Sequence, residues 1–152
     1  MQIDTIHVGP CDSRRLYVYT LIDVWSRWAF ALVRLKINAP QSLLFVRGAS
    51  GEASFPFATL QSDHGPEFST HFTERIQAYG IVHRHSRVRR PNDNAHLERF
   101  NRTLQEECLK RLPQTLTAYQ KEIPEYLRYY NTERLHLGLN FKTPLECVQA
   151  ID

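Results

Sequence analysis

Residues 1–8 alternate apolar and polar positions and run into Gly9-Pro10, which predicts a strand closed by a turn. Leu16 to Ile22 is a nearly unbroken β-prone run, the pattern of a strand covered on both faces. Beyond the turn Asp23-Val24-Trp25-Ser26-Arg27, Trp28 to Leu35 predicts a third strand and an antiparallel meander. The period then changes. Asn38 can cap a helix with Pro40 in its first turn and Leu43, Leu44 and Val46 on its apolar side. Residues 49–54 read as a loop, and Phe57 to Gln61 as a short fourth strand ending at Ser62-Asp63-His64-Gly65. Ser69 or Thr70 starts a helix carrying Phe72, Ile76 and Tyr79, Gly80 stops it, and Ile81 to His85 forms a fifth strand.

Residues 87–92 read as a polar, basic loop. A long helix follows from Asp93 to about Arg111, with Leu97, Phe100, Leu104 and Cys108 as its buried stripe, and Pro113 ends it. Leu116, Tyr119, Ile123, Tyr126, Leu127 and Tyr130 form a further helical stripe. Pro124 interrupts it, leaving a kinked helix or two short ones. Residues 143–150 add a last turn or short helix. Three antiparallel strands followed by two parallel crossover strands make an α/β fold with a mixed five-stranded sheet flanked by helices. This is the element order of ribonuclease H-like folds. Residues 1–112 would form that core and 113–152 a C-terminal helical extension of the same single domain, the default at 152 residues.

Composition narrows the picture. No apolar run reaches the roughly 18–20 residues of a membrane span, and the N-terminal residues lack the pattern of a signal peptide. Cys11, Cys108 and Cys147 are scattered and form no CxxC pair, which argues against a zinc ribbon or a disulfide scaffold and for a reducing compartment. Nineteen basic residues oppose sixteen acidic ones, and fifteen of the nineteen are arginine, whose planar fork matches phosphate oxygens. Arg84, Arg87, Arg89, Arg90, Arg99 and Arg102 crowd one stretch, against only Asp93 and Glu98. An enzyme acting on a polyanion wants such a stretch; a solvated basic surface is the plainer reading.

Three acids sit in costly places. Asp4 lies inside a strand, Asp63 at the end of another, and Glu98 on the long helix beside buried Leu97. Asn94, Asn101, Arg102 and Gln105 lie near Glu98 at helical spacing. Carboxylates from distant segments suit hard divalent cations, and such a trio suits metal-assisted phosphoryl transfer, in which two cations about 3.5–4 Å apart clamp an in-line displacement. Singly, each acid also has a plain reading: an edge-strand charge, a turn residue and a helix-surface acid.

The segments Ile3-Asp4-Thr5, Ser62-Asp63-His64-Gly65-Pro66-Glu67-Phe68 and Pro91-Asn92-Asp93-Asn94-Ala95-His96-Leu97-Glu98-Arg99-Phe100-Asn101-Arg102-Thr103-Leu104 resemble the three signatures of the retroviral-type integrase catalytic core, the DDE family. Bacterial insertion-sequence transposases are the most similar by pattern. Asp63 and Glu98 differ by 35 positions, the family's D-35-E spacing. Leu21-Ile22-Asp23-Val24-Trp25-Ser26-Arg27 resembles the family's second-strand turn. Tyr130-Asn131-Thr132-Glu133-Arg134-Leu135-His136, with Thr143-Pro144, resembles its tail. Two departures stand out: His64 replaces a common Asn, and Leu135 a usual Pro.

The resemblance implies that Asp4, Asp63 and Glu98 are the catalytic ligands of Mg²⁺ or Mn²⁺, two ions per active site when substrate is bound. Asp4 and Asp63 would share one ion and Glu98 would help hold the second. It implies cleavage at a DNA 3′ end followed by strand transfer into target DNA, in a homo-oligomer, in the bacterial cytoplasm at the nucleoid. It also implies a longer protein with an N-terminal DNA-binding domain before this core. A nuclease that cuts without joining and a domesticated core that only binds DNA are the rival readings. Arg87, Arg89, Arg90, Arg99 and Arg102 are candidate DNA contacts. The last two alternatively pair with Glu106 and nearby acids. Asn94 either orients Glu98 or contacts DNA, its rival role being to cap the helix with Asp93. His64 contacts phosphate or is an idle turn residue, and Glu67 is polar support near the site. Trp25 and Trp28 read as core or subunit packing, and His7, His83 and His85 lack a cysteine partner for zinc.

Overall fold

The computed structural model describes residues 1–11, 14–87 and 94–150. Strands β1 (Gln2–Cys11), β2 (Arg14–Ile22) and β3 (Ala29–Arg34) form the meander, and β4 (Thr59–Ser62) and β5 (Val82–His85) complete one sheet of order β3-β2-β1-β4-β5. The β1–β2 and β2–β3 pairings are antiparallel, and β1–β4 and β4–β5 are parallel. This is the mixed sheet that the hydrophobic pattern predicts. Strand β1 continues through Gly9-Pro10, where a shift in register replaces the expected turn. A bulge absorbs the irregularity without ending the ladder.

The period-2 alternation divides the core. Val18 and Ile22 of β2 pack with Ala29, Ala31 and Val33 against helices α3 (Ala95–Glu107) and α4 (Leu116–Thr132). Tyr19 and Leu21 face the other way, with Ile3, toward α1 (Ala39–Glu52), α2 (Thr70–Gln77) and α5 (Pro144–Gln149). Strand β2 is thus buried on both faces, as its continuous apolar run requires. Ile6 and Val8 of β1 pack on the α3 side, so Asp4, in phase with them, points toward α3.

The helices differ from expectation in three places. Asn38 does cap α1, its side chain accepting from the Gln41 N–H, but the helix runs on through the predicted loop to Glu52. Phe45, Val46 and Ala49 are buried, and that packing overrides the low propensity of Gly48 and Gly51. Tyr79 is not part of the α2 stripe: the helix ends at Gln77, and Tyr79 stands 56% exposed in the turn that Gly80 closes with φ +78°. The Leu97, Phe100, Leu104 and Cys108 stripe is buried as predicted, but α3 ends at Glu107 and Leu109–Arg111 form a separate 3₁₀ turn. Asp93, the predicted start, lies outside the described residues.

Pro124 does not split α4. Tyr119, Ile123, Leu127 and Tyr130 all bury into one core and hold the helix together across the missing N–H. Near its end, Asn131 spans to β3: its Oδ1 accepts the Ala29 N–H at 2.9 Å and its Nδ2 donates to the Ala29 carbonyl at 2.8 Å. Thr143 and Glu146 form a reciprocal capping box on α5. Trp28 is in the core, but Trp25 is 58% exposed. No helix among the described residues is long and apolar enough to cross a membrane.

Candidate active site

Strands β1 and β4 run parallel at the middle of the sheet, and α3 packs across β1 and β2. Two glutamines pin the start of α3 to those strands. Gln2 Oε1 accepts the Leu97 N–H at 3.2 Å, and Gln61 Nε2 donates to Asn94 Oδ1 at 3.0 Å while Gln61 Oε1 accepts from Arg84 at 3.1 Å. Asn94 therefore makes no side-chain cap; its carbonyl oxygen serves β4 instead. This anchoring fixes which face of α3 meets Asp4.

Asp4 is half-buried, and its Oδ2 accepts from Asn101 Nδ2 at 3.0 Å. Asp63 follows β4 on an exposed turn, where its Oδ1 accepts the Gly65 N–H at 2.8 Å. Glu67, in a one-turn 3₁₀ segment at Pro66–Phe68, is only 6% exposed, and Thr5 Oγ1 donates to its Oε1 at 2.8 Å. The two turn carboxylates press against Gly65. A Cβ at that position would lie 2.7 Å from Glu67 Oε2 and 3.0 Å from Asp63 Oδ1, so a larger residue would have to move the Glu67 carboxylate from its present place.

The Asp4 carboxyl is raised to about 6, chiefly by burial and further by the negative charges of Asp63 and Glu67; the Thr5 backbone and Asn101 hydrogen bonds partly offset this. Among the described residues no Lys, Arg or His pairs with these three acids. An uncompensated cluster of hard oxygen donors fits a hard divalent cation such as Mg²⁺ or Mn²⁺. Glu98 is exposed, one helical turn before Asn101, and lines a shallow groove with Asn101, Arg102 and Gln105. It stands beside the amide that holds Asp4. Among the described residues no three His, Cys, Asp or Glu side chains close into a ready-made metal cage.

Behind Asp63 a polar chain braces the turn. His85 Nδ1 lies 2.7 Å from the Asp63 carbonyl, His83 Nε2 2.9 Å from Ser62 Oγ, and His83 Nδ1 2.7 Å from Thr73 Oγ1. Burial pushes His83 down to about 4, with the neighbouring His85 adding to the effect, so the ring is neutral. His64 is exposed and stacks on His85 with ring centroids 4.7 Å apart. Asp23 is a turn residue, as its sequence context suggests: its Oδ2 accepts both the N–H and the hydroxyl of Ser26.

Arg102 lies in the groove with Glu98, and Arg99 on a different side of α3. Neither forms an ion pair with Glu106 or another acid among the described residues. Arg87 is exposed and lines a cleft with Gln61, Arg84 and His85, whereas Arg89 and Arg90 lie outside the described residues. Sequence reasoning missed Gln2, Thr5, Gln61, Ser62 and Thr73. Gln2, Gln61 and Ser62 are buried polar residues at strand ends, whereas Thr5, within β1, and Thr73, on α2, carry no such signal.

An integrase core domain model matches residues 1–91, and a second integrase core domain model matches residues 79–144. The chain belongs to the integrase core domain family. It is 30% identical over 142 residues to the transposase of insertion sequence element IS904 from Lactococcus lactis, covering 89% of this chain and 55% of that protein. It is 28% identical over 150 residues to a 31.7 kDa protein of insertion element IS407 from Burkholderia multivorans, covering 95% of this chain and 53% of that one. The chain thus spans about half the length of these curated relatives. The fold superposes on the HTLV-2 integrase catalytic core domain solved with magnesium, at TM-score 0.73 and 20% identity over 96% of this chain and 93% of that one. It also superposes on the BIV integrase catalytic core, at TM-score 0.71 and 23% identity over 99% and 93%. The ribonuclease H-like integrase-core fold is therefore the fold of this chain.

Proposed function

We propose that this chain is the catalytic core of a DDE transposase or integrase, a polynucleotidyl transferase that cuts DNA at a 3′ end and joins that end to target DNA. The carboxylates of Asp63 and Glu67 on either side of Gly65, and the like-charge influence of both on half-buried Asp4, whose carboxyl is raised to about 6, carry the reading. Such a cluster is costly to the fold unless a cation balances it. Asp4 and Asp63 would hold Mg²⁺ or Mn²⁺, with Glu98 contributing to a second ion when substrate is bound. The bound cations would neutralise charge gathering on the scissile phosphate.

The chain's own groups supply order. Asn101 fixes the Asp4 carboxylate, the Gly65 N–H fixes one oxygen of Asp63, and Thr5 holds Glu67 away from solvent. Arg102, beside Glu98, would meet the DNA backbone, as would Arg87. Related cores solved in dimeric and trimeric forms and within an intasome support action as an oligomer on DNA. A strand-transfer assay tests the reading. A duplex with a pre-cut 3′ end and Mn²⁺ should yield joined product that Asp63→Asn and Glu98→Gln abolish. Cutting without joining would make the protein a nuclease, and unchanged joining by Glu98→Gln would remove Glu98 from the ligand set.

A further inference from the structure

A second charged region lies around the corner of α3 from the carboxylates. Arg27, His96, Arg99, Tyr130, Arg134 and His136 line a cavity of about 470 Å³ with no acidic side chain in its wall. Its parts come from the β2–β3 turn, the first half of α3, the end of α4 and the tail beyond it. Arg134 is committed to Glu107 through two bonds of 2.7 and 3.1 Å. Arg27 and Arg99 form no ion pair among the described residues.

Arg27 bears two local costs at once. Its φ is +63°, a left-handed conformation that suits glycine or asparagine, and Asp23 imposes it by accepting the Arg27 N–H at 2.9 Å. Its Nη1 is also buried with no hydrogen-bond partner. Across the cavity the Nε2 of His136 is buried and equally unpartnered. The His136 segment is built rather than loose: its N–H donates to the Lys142 carbonyl at 3.1 Å, and its carbonyl accepts from Leu139 and Phe141. The orphaned guanidinium nitrogen of Arg27, in a basic pocket walled by Arg99, marks a place for an absent acceptor.

We infer that this cavity binds a phosphate group, supplied by the DNA backbone as it passes the far side of α3 from the carboxylate cluster. The inference rests on the DNA reading above and extends it. A tetrahedral anion offers acceptors to Arg27 and Arg99 together, and its own hydroxyl, when protonated, can donate to the Nε2 of His136. Arg27→Gly is the informative variant, because glycine suits φ +63° and so removes the charge without straining the turn. The thermal midpoint should hold or rise, while affinity for unrelated 30-base-pair duplexes falls uniformly and the slope of log K against log salt shrinks by about 1. Arg99→Gln should act in the same direction.

Duplex affinity and salt slope unchanged in Arg27→Gly, with Asp63→Asn still blocking cleavage, would overturn the cavity assignment and leave the DNA reading standing. No duplex binding by the wild-type chain at low salt would overturn both. Inorganic phosphate supplies the second arm. If it raises the wild-type thermal midpoint but not that of Arg27→Gly, while duplex affinity is equal in both, the cavity takes free anion and the backbone assignment fails.

Discussion

The two sides of α3 are both charged and both incompletely balanced, but in opposite senses. On one side Asp63 and Glu67 flank Gly65 near half-buried Asp4, and among the described residues the bonds given for these acids come from neutral donors: Asn101, Thr5 and backbone N–H groups. On the other, Arg27 and Arg99 face a cavity without acids, while the Arg134–Glu107 ion pair sits at its rim. The acidic side is held by hydrogen bonds that fix position without cancelling charge. At the basic rim Glu107 cancels the charge of Arg134 and takes a further bond of 2.7 Å from the Tyr126 hydroxyl. Position without neutralisation is what a site awaiting a cation needs, and neutralisation at a rim is what a fold needs.

The largest effect should come from emptying the acidic side. Asp63→Asn should lower metal-dependent cleavage by more than about 100-fold, since even groups that merely orient metal ligands are worth 10–100-fold. Its thermal midpoint without metal should hold or rise, because a like charge beside Asp4 is removed. A fall in both would mean that Asp63 is structural. Gly65→Ala comes next. Its methyl must displace Glu67 Oε2 or Asp63 Oδ1, so cleavage should fall about 10-fold with little change in DNA affinity. Activity at the wild-type level would show that the two carboxylates need no fixed spacing.

On the basic side, Glu107→Gln should leave the metal response intact and cost about 1–2 kcal/mol in a denaturant titration, because it weakens the bonds to Arg134 and Tyr126. Equal stability would make the rim pair incidental. The last effect concerns His83 and is read as a slope with pH. Its folded value, about 4, lies below the ordinary value of 6.5, so the unfolded chain binds more protons between those limits. The contribution is therefore whole above about pH 6.5 and is lost as pH falls toward 4, at up to about 1.4 kcal/mol per pH unit. Asp4 runs the other way over about pH 4–6, so the slope is best measured in Asp4→Asn. His83→Gln in that background should reduce the slope, the remainder coming from His96 and His136, whose rings are also lowered by burial; an unchanged slope would assign it elsewhere.

The sheet was legible because β2 reads as continuously apolar and its neighbours alternate, and because the Leu97 to Cys108 stripe keeps one helical period. The three acidic segments were legible as resemblance, through short motifs at the ends of predicted elements. The full length of α1 was not legible. Gly48, Ser50 and Gly51 advertise a loop, and only the burial of Phe45 and Ala49 shows why they are helical. Nor was the role of Glu67 as a buried third carboxylate, because a turn acid two residues after Gly65 carries no mark of depth. The basic cavity was hidden for a different reason. Residues 27, 96–103 and 130–138 meet only through packing of the tail on α3, and no periodicity encodes that meeting.

Asn131 closes the account from the opposite rim. By offering one acceptor and one donor to Ala29, its amide imitates one backbone unit of a sixth strand just where β3 begins. A bare margin there would invite another polypeptide to lie down and continue the weave. One side chain from a distant helix thus hems the first residue of that edge with two hydrogen bonds.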